Sequence, residues 1–236
     1  FTGHLCSNCP TQSLAAHELA EELDHRLVIV GIHAGGFSNL EPPLYTIDFT
    51  CPTGVKIHDD YQVNFYPSGL INRIVYGPSS VIPPQFWETI ITDELDKPNV
   101  VDLSLQTYYY PNLKTIEINV LAEFKQQLEG KYKLSLYLVE DNIVAYQKND
   151  NEELGPEDIP DYHHRNVLRD AVNGTYGVYV SDDGSITASV PYAQKFIYSD
   201  FSENWNIGNC KIIAFVYGEE TDEVLQVAEL AIHTGE

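Results

Sequence analysis

Apolar positions change period once along this chain, near Lys97-Pro98-Asn99. Ahead of that point the spacing is helical or continuous. Ala16, Leu19, Ala20 and Leu23 recur at three- and four-residue steps, with Glu18, Glu21 and Glu22 on other faces, which predicts a helix over 13–23. Leu27-Val-Ile-Val-Gly-Ile32 is a short apolar run behind that helix and predicts a buried parallel strand ending at His33. Val55 to Val63 predicts a short helix, and Pro83 to Ile91 starts another, with proline tolerated in the first turn. Beyond Val100 the period is two. Val101, Leu103 and Leu105 alternate with polar residues, as do Ile116, Ile118 and Val120, then Leu134, Leu136 and Leu138, which predicts half-buried antiparallel strands. Further strands are expected at 143–147, 186–190, 194–198, 211–217 and 224–232, and a short helix over Asn166–Val172 before Asn173-Gly174.

The pattern predicts an α/β domain over 1–97 followed by an all-β domain over 98–236. About seven short strands with regular turns indicate a β-sandwich of immunoglobulin-like type for the second part, with its own core and the ability to fold alone from about residue 99. Two connections are long: His33-Ala-Gly-Gly36 to Cys51-Pro52, and the acidic stretch Lys148 to Tyr162, read as a solvated loop without calcium-site spacing. The adjacent His163 and His164 point different ways on either a helix or a strand, so they do not share a metal.

Charge narrows the partners. With 13 Lys+Arg against 35 Asp+Glu, the net charge is −22, so nucleic acid is not an expected partner and an anionic membrane surface repels the chain. The 16 tyrosines supply rigid amphipathic contact area for a protein or peptide partner, most densely at Tyr108-Tyr109-Tyr110, where Tyr109 and Tyr110 are the candidate binding residues.

The reactive chemistry lies in Phe1-Thr-Gly-His4-Leu-Cys6-Ser-Asn-Cys9-Pro10. Two cysteines three apart, ahead of a helix and an apolar strand, match the strand–CxxC–helix corner of a thioredoxin layout, where the helix N-terminus stabilises a thiolate. Pro67 in Tyr66-Pro67-Ser68 is placed to start the next strand facing the pair. Three readings are open for Cys6 and Cys9: a redox pair with Cys6 attacking, Cys9 resolving and Pro67 lining the groove; a structural disulfide; or part of a zinc site with Cys51 and a histidine. No cofactor is expected.

Four separated blocks then resemble a known family: the segment 1–10, Ile32-His-Ala-Gly-Gly36, Tyr66-Pro-Ser-Gly-Leu-Ile-Asn-Arg73, and Tyr162-His-His-Arg-Asn-Val-Leu-Arg169 with Gly174-Thr-Tyr-Gly177. They are similar to the 28-kDa outer-membrane protein family of Gram-negative anaerobes. The resemblance implies a thioredoxin-like first part, a β-sandwich second part, and a lipoprotein attached to the outer membrane through an anchor ahead of Phe1, on its periplasmic or cell-surface side. It implies a receptor or adhesion role; thiol–disulfide oxidoreductase, the alternative, comes from the Cys6–Cys9 pair and not from the resemblance. Leu5 and Tyr66 stand where active thioredoxins carry Trp before the first cysteine and Thr or Val before the proline.

Overall fold

The computed structural model describes residues 1–181 and 185–233. In chain order the helices are α1 (Cys9–Glu22), α2 (Pro52–Asp60) and α3 (Trp87–Leu95). The strands are β1 (Val101–Tyr110), β2 (Thr115–Phe124), β3 (Tyr132–Glu140), β4 (Ile143–Lys148), β5 (Asp158–His164), β6 (Val167–Ala171), β7 (Val178–Tyr179), β8 (Pro191–Tyr198), β9 (Cys210–Gly218) and β10 (Val224–Ala231). The result is a mixed fold of few helices and several antiparallel sheets.

Packing divides the chain into two compact units, neither of them continuous in sequence. The first takes 1–71, 75–97 and 141–170; the second takes 72–74, 98–140 and 171–236. The period change at 97/98 is thus one of several points where the chain passes between units.

In the first unit α1 starts with Pro10 in its first turn and α2 with Pro52, positions where a missing N–H costs little. The layer beside them is held by single backbone pairs rather than ladders. Gly69 and Ile82 exchange antiparallel bonds at 2.9 and 2.8 Å. Ser68 pairs with Phe1 (N···O 3.3 Å), and Thr2 N–H donates to Ile32 C=O at 2.9 Å beside a parallel bridge to His33. Gly31 then joins a fifth segment in parallel, its N–H donating to Asn166 C=O at 2.7 Å and its C=O accepting from Leu168 N–H at 2.9 Å. A Cβ at Gly31 would lie 3.1 Å from the Arg165 carbonyl oxygen, so glycine permits this close approach. The expected parallel strand at 27–32 is therefore present only as bridges at its end.

Two elements differ from the sequence expectation. Asn166–Val172 holds strand β6, not a helix, because Gly31 takes its backbone groups and Val167, Leu168 and Arg169 are buried in succession. Of the expected strand at 186–190 only Ile186 pairs, through an isolated bridge to Leu128. The stretch 148–162 is not all loop: β5 begins at Asp158 and pairs with β4.

The second unit has two antiparallel sheets, β1-β2-β8 and β10-β9-β3 with β7 beside β3. The alternation read from sequence sets their inner faces: Val101, Ile116, Ile118, Val120, Phe124, Leu134, Leu136, Leu138, Ile212, Ala214 and Val216 form one core. Asn173 extends β3 with its side chain, accepting from Leu136 N–H and donating to Leu134 C=O, both at 2.9 Å.

Candidate functional site

Cys6 and Cys9 form a disulfide at the start of α1, and each is 3% exposed. Cys6 N–H donates to Gly3 C=O (3.0 Å), Cys9 N–H to Cys6 C=O (3.2 Å) and Leu5 N–H to Phe37 C=O (3.0 Å), which winds the loop before the helix. The β4–β5 hairpin supplies further donors to the carbonyls of this loop. The Gln147 side-chain amide reaches Gly3 C=O at 3.3 Å and Cys6 C=O at 3.0 Å, Lys148 N–H donates to His4 C=O at 2.8 Å, and Asp150 N–H to Ser7 C=O at 3.2 Å. Gln147 is itself buried. The hairpin is thus a brace for the cysteine loop, a role that nothing in its acidic composition signals.

Behind the loop lies a buried aromatic cluster that sequence reasoning did not assemble. The Phe49 ring sits 5.7 Å from His4, 4.9 Å from His33 and 4.4 Å from His164. Arg169 lies 5.9 Å over the same ring. His4 Nε2 donates to Asn39 C=O at 2.7 Å, whereas His33 Nδ1 and His164 Nε2 have no hydrogen-bond partner among the described residues. Burial, then the neighbouring His164 and His4, push the His33 pKa well below the usual imidazole value; burial pushes that of His164 down to about 3. Tyr45 caps the cluster, 5.3 Å from His4, and its hydroxyl donates to Asp158. That bond first, then Lys148 at 3.1 Å, holds the Asp158 carboxyl below its usual value. Four separate segments contribute, each with one histidine or phenylalanine, so no local motif signals the cluster.

Among the described residues no group of three or more His, Cys, Asp and Glu side chains is placed to hold a metal ion. The His33 and His164 rings touch edge to face at 5.7 Å and share Phe49 with His4, the disulfide occupies Cys6 and Cys9, and the Cys51 thiol accepts from Gly54 N–H at 3.3 Å as the cap of α2. Burial pushes the Cys51 thiol up to about 11. Cys210 is a buried thiol bonded to Asn206 C=O at 3.3 Å.

Pro67 follows a cis peptide and is half-buried, one residue before the Ser68–Phe1 pair on the segment that leads to Cys6. Tyr66 donates to Ala34 C=O at 2.9 Å and packs 5.3 Å from the exposed Phe37 ring; burial pushes its hydroxyl up to about 12. The tyrosine run of β1 splits between faces. Tyr109 turns inward onto Phe201, with ring centroids 6.2 Å apart, while Tyr108 and Tyr110 face out.

A profile of the outer membrane protein Omp28 family matches residues 55–236. The chain belongs to the Omp28 family. Family membership places the protein at the outer membrane. The matched region begins after the CxxC corner, so Cys6, Cys9, His4 and His33 lie ahead of it. Among solved structures, the chain is similar to a domain of the outer membrane lipoprotein Omp28 from Porphyromonas gingivalis, with 22% identity, a TM-score of 0.36, and coverage of 58% of this chain and 92% of that one. No curated protein matches the chain. No helix among the described residues is long and apolar enough to cross a membrane.

Proposed function

We propose that this Omp28 protein is a binding protein of receptor or adhesion type, held at the outer membrane by a lipid anchor, with its CxxC pair as a structural staple. Its partner is a protein or peptide. The observation that carries this reading is the outer face of the β1-β2-β8 sheet. Tyr108 is 52% exposed, Tyr110 44%, Leu121 40% and Ile197 58%, on adjacent strands. Tyr108 and Ile197 flank Glu117, which pairs with Lys195 at 2.8 Å. A groove of about 270 Å³ runs beside them, lined by Ser104, Gln106, Asn119 and Leu121. Exposed aromatic and aliphatic side chains around one satisfied ion pair suit a protein contact.

The same reading assigns a thioredoxin-like first unit. Its support is the order of backbone pairs, Ile82–Gly69, Ser68–Phe1, Thr2–Ile32, with the CxxC after the central segment and Pro67 beside it. An immunoglobulin-like second unit is supported by β1, β2 and β8 opposing β3, β9 and β10, an arrangement close to strands A, B and E against C, F and G.

The test is a Tyr108→Ser/Tyr110→Ser/Ile197→Ser variant with unchanged melting, compared with the parent by interferometry on immobilised host extracellular proteins. Binding at least ~10-fold weaker is expected. Equal binding overturns the assignment of this face. A CxxC at a helix start also favours thiol–disulfide exchange as a second reading; insulin reduction that is abolished by Cys6→Ser would make that reading the better one.

A further inference from the structure

Arg73 closes the third sequence block and Tyr176 lies in the fourth, and the structure brings them together. Residues 72–74 belong to the second unit. The Arg73 side chain is 7% exposed and lies over three rings, with Cζ 4.7 Å from the Tyr217 centroid, 5.0 Å from Phe215 and 5.8 Å from Tyr176. Its Nη1 donates to Asp222 at 3.2 Å and its Nη2 to the Tyr137 hydroxyl at 3.3 Å.

The surroundings are built without help from the arginine. Tyr137 stands on β3, and Phe215 and Tyr217 on β9, on the sheet face opposite the core residues Leu136, Ala214 and Val216. The Tyr137 and Phe215 rings pack edge to face at 5.0 Å. Tyr137 donates its own hydroxyl proton to Thr175 C=O at 2.8 Å, and Tyr217 donates to Tyr176 C=O at 2.7 Å. Both hydroxyls therefore fix the 174–177 turn that presents Tyr176, and Tyr137 keeps a lone pair for a donor. Gly177 has φ +64°, and a Cβ there would collide with the Leu134 carbonyl, so this turn needs glycine to lie against β3.

Ring faces on several sides, one carboxylate and one hydroxyl acceptor match a guanidinium: flat, weakly hydrated, stacking by its faces and donating from its edge. A compact ammonium would use the charge but not the fork. We propose that Tyr137, Tyr176, Phe215, Tyr217 and Asp222 form a guanidinium-binding site, which Arg73 fills as a ligand supplied by the chain itself. Emptied of Arg73, the site takes a free guanidinium compound.

The test uses the whole chain. Arg73→Ala is melted in about 10 mM methylguanidinium chloride, too dilute to act as a denaturant, and in methylammonium chloride at the same ionic strength. The expected result is a midpoint at least ~2 °C higher with methylguanidinium than with methylammonium. The unsubstituted protein and Arg73→Ala/Tyr217→Leu should show no such difference. Equal effects of the two cations on Arg73→Ala, or the same gain in the double variant, overturn the proposal. If Arg73→Ala does not fold, it is refolded with each cation present: recovery with methylguanidinium but not with methylammonium is expected, and recovery with both or with neither overturns the proposal.

Discussion

The second unit is fastened by apolar faces and the first by polar detail. In the second, strand ladders up to ten pairs long carry alternating Val, Ile, Leu and Phe into one core. In the first, the central layer meets through isolated bridges, and the cysteine loop hangs on side-chain and backbone bonds from one hairpin. Removing buried apolar area costs energy in proportion to area and cavity, whereas leaving a buried carbonyl unpaired costs a desolvation penalty concentrated on one atom. The first unit should therefore lose most from polar substitutions around its cysteine loop and from acid at its buried histidines, and the second from truncation of its apolar core.

Fluorescence can separate the two, because the chain has two tryptophans, Trp87 in the first unit and Trp205 in the second. The largest expected effect is Phe124→Ala, which removes a fully buried ring from the sandwich core. A loss of about 3–5 kcal/mol is expected in the urea transition reported by Trp205. A loss under about 1 kcal/mol would show that this core is not the unit's main support.

Acid should act on the first unit. His33 and His164 have folded pKa values below the unfolded 6.5, so the unfolded chain binds protons that the folded one refuses. Their contribution is intact above about pH 6.5 and is lost as pH falls from there toward about 3, the value for folded His164. The slope is roughly 1.4 kcal/mol per pH unit for each imidazole. His4 and Arg169 face the same ring and add no compensating negative charge. The Trp87 transition should shift to lower urea at pH 5 than at pH 7, and His164→Phe should flatten the dependence. An unchanged slope in that variant would remove His164 from the explanation.

Gln147→Leu is the smaller polar test. It strips one of two donors from each of the Gly3 and Cys6 carbonyls while keeping bulk, and about 0.5–1.5 kcal/mol should be lost from the Trp87 transition only. An equal loss at Trp205 would make the contrast between the units meaningless.

This contrast also decides what the sequence made legible. Val101, Ile116, Leu134 and Leu136 announce their strands because period-two alternation is a direct record of a half-buried ladder. Pro10 and apolar residues at three- and four-residue steps announce α1, whereas Pro52, read as part of the preceding loop, opens α2, and α3 begins only at Trp87, after the short turn at Pro84–Phe86. Asn166–Val172 misled because Leu, Arg and Ala favour helices and Asn173-Gly174 resembles a helix end, while the deciding partner, Gly31, lies far away in sequence. Gln147 could not be found at all: a lone glutamine in a polar stretch carries no pattern, and its role exists only once Cys6 is beside it. The CxxC corner and Pro67 were legible as a motif, but the hairpin that hydrogen-bonds the cysteine loop lies far along the chain and was not.

The chain's route has a consequence for synthesis. A polypeptide emerges from its N-terminus, yet the first unit lacks its β4–β5 brace until residue 164 exists, by which time β1, β2 and β3 of the second have already appeared. Those three strands in turn wait for β8, β9 and β10. Neither unit can close before the other has begun, so maturation is interleaved rather than stepwise, and a nascent chain halted near residue 140 would hold two unfinished structures at once.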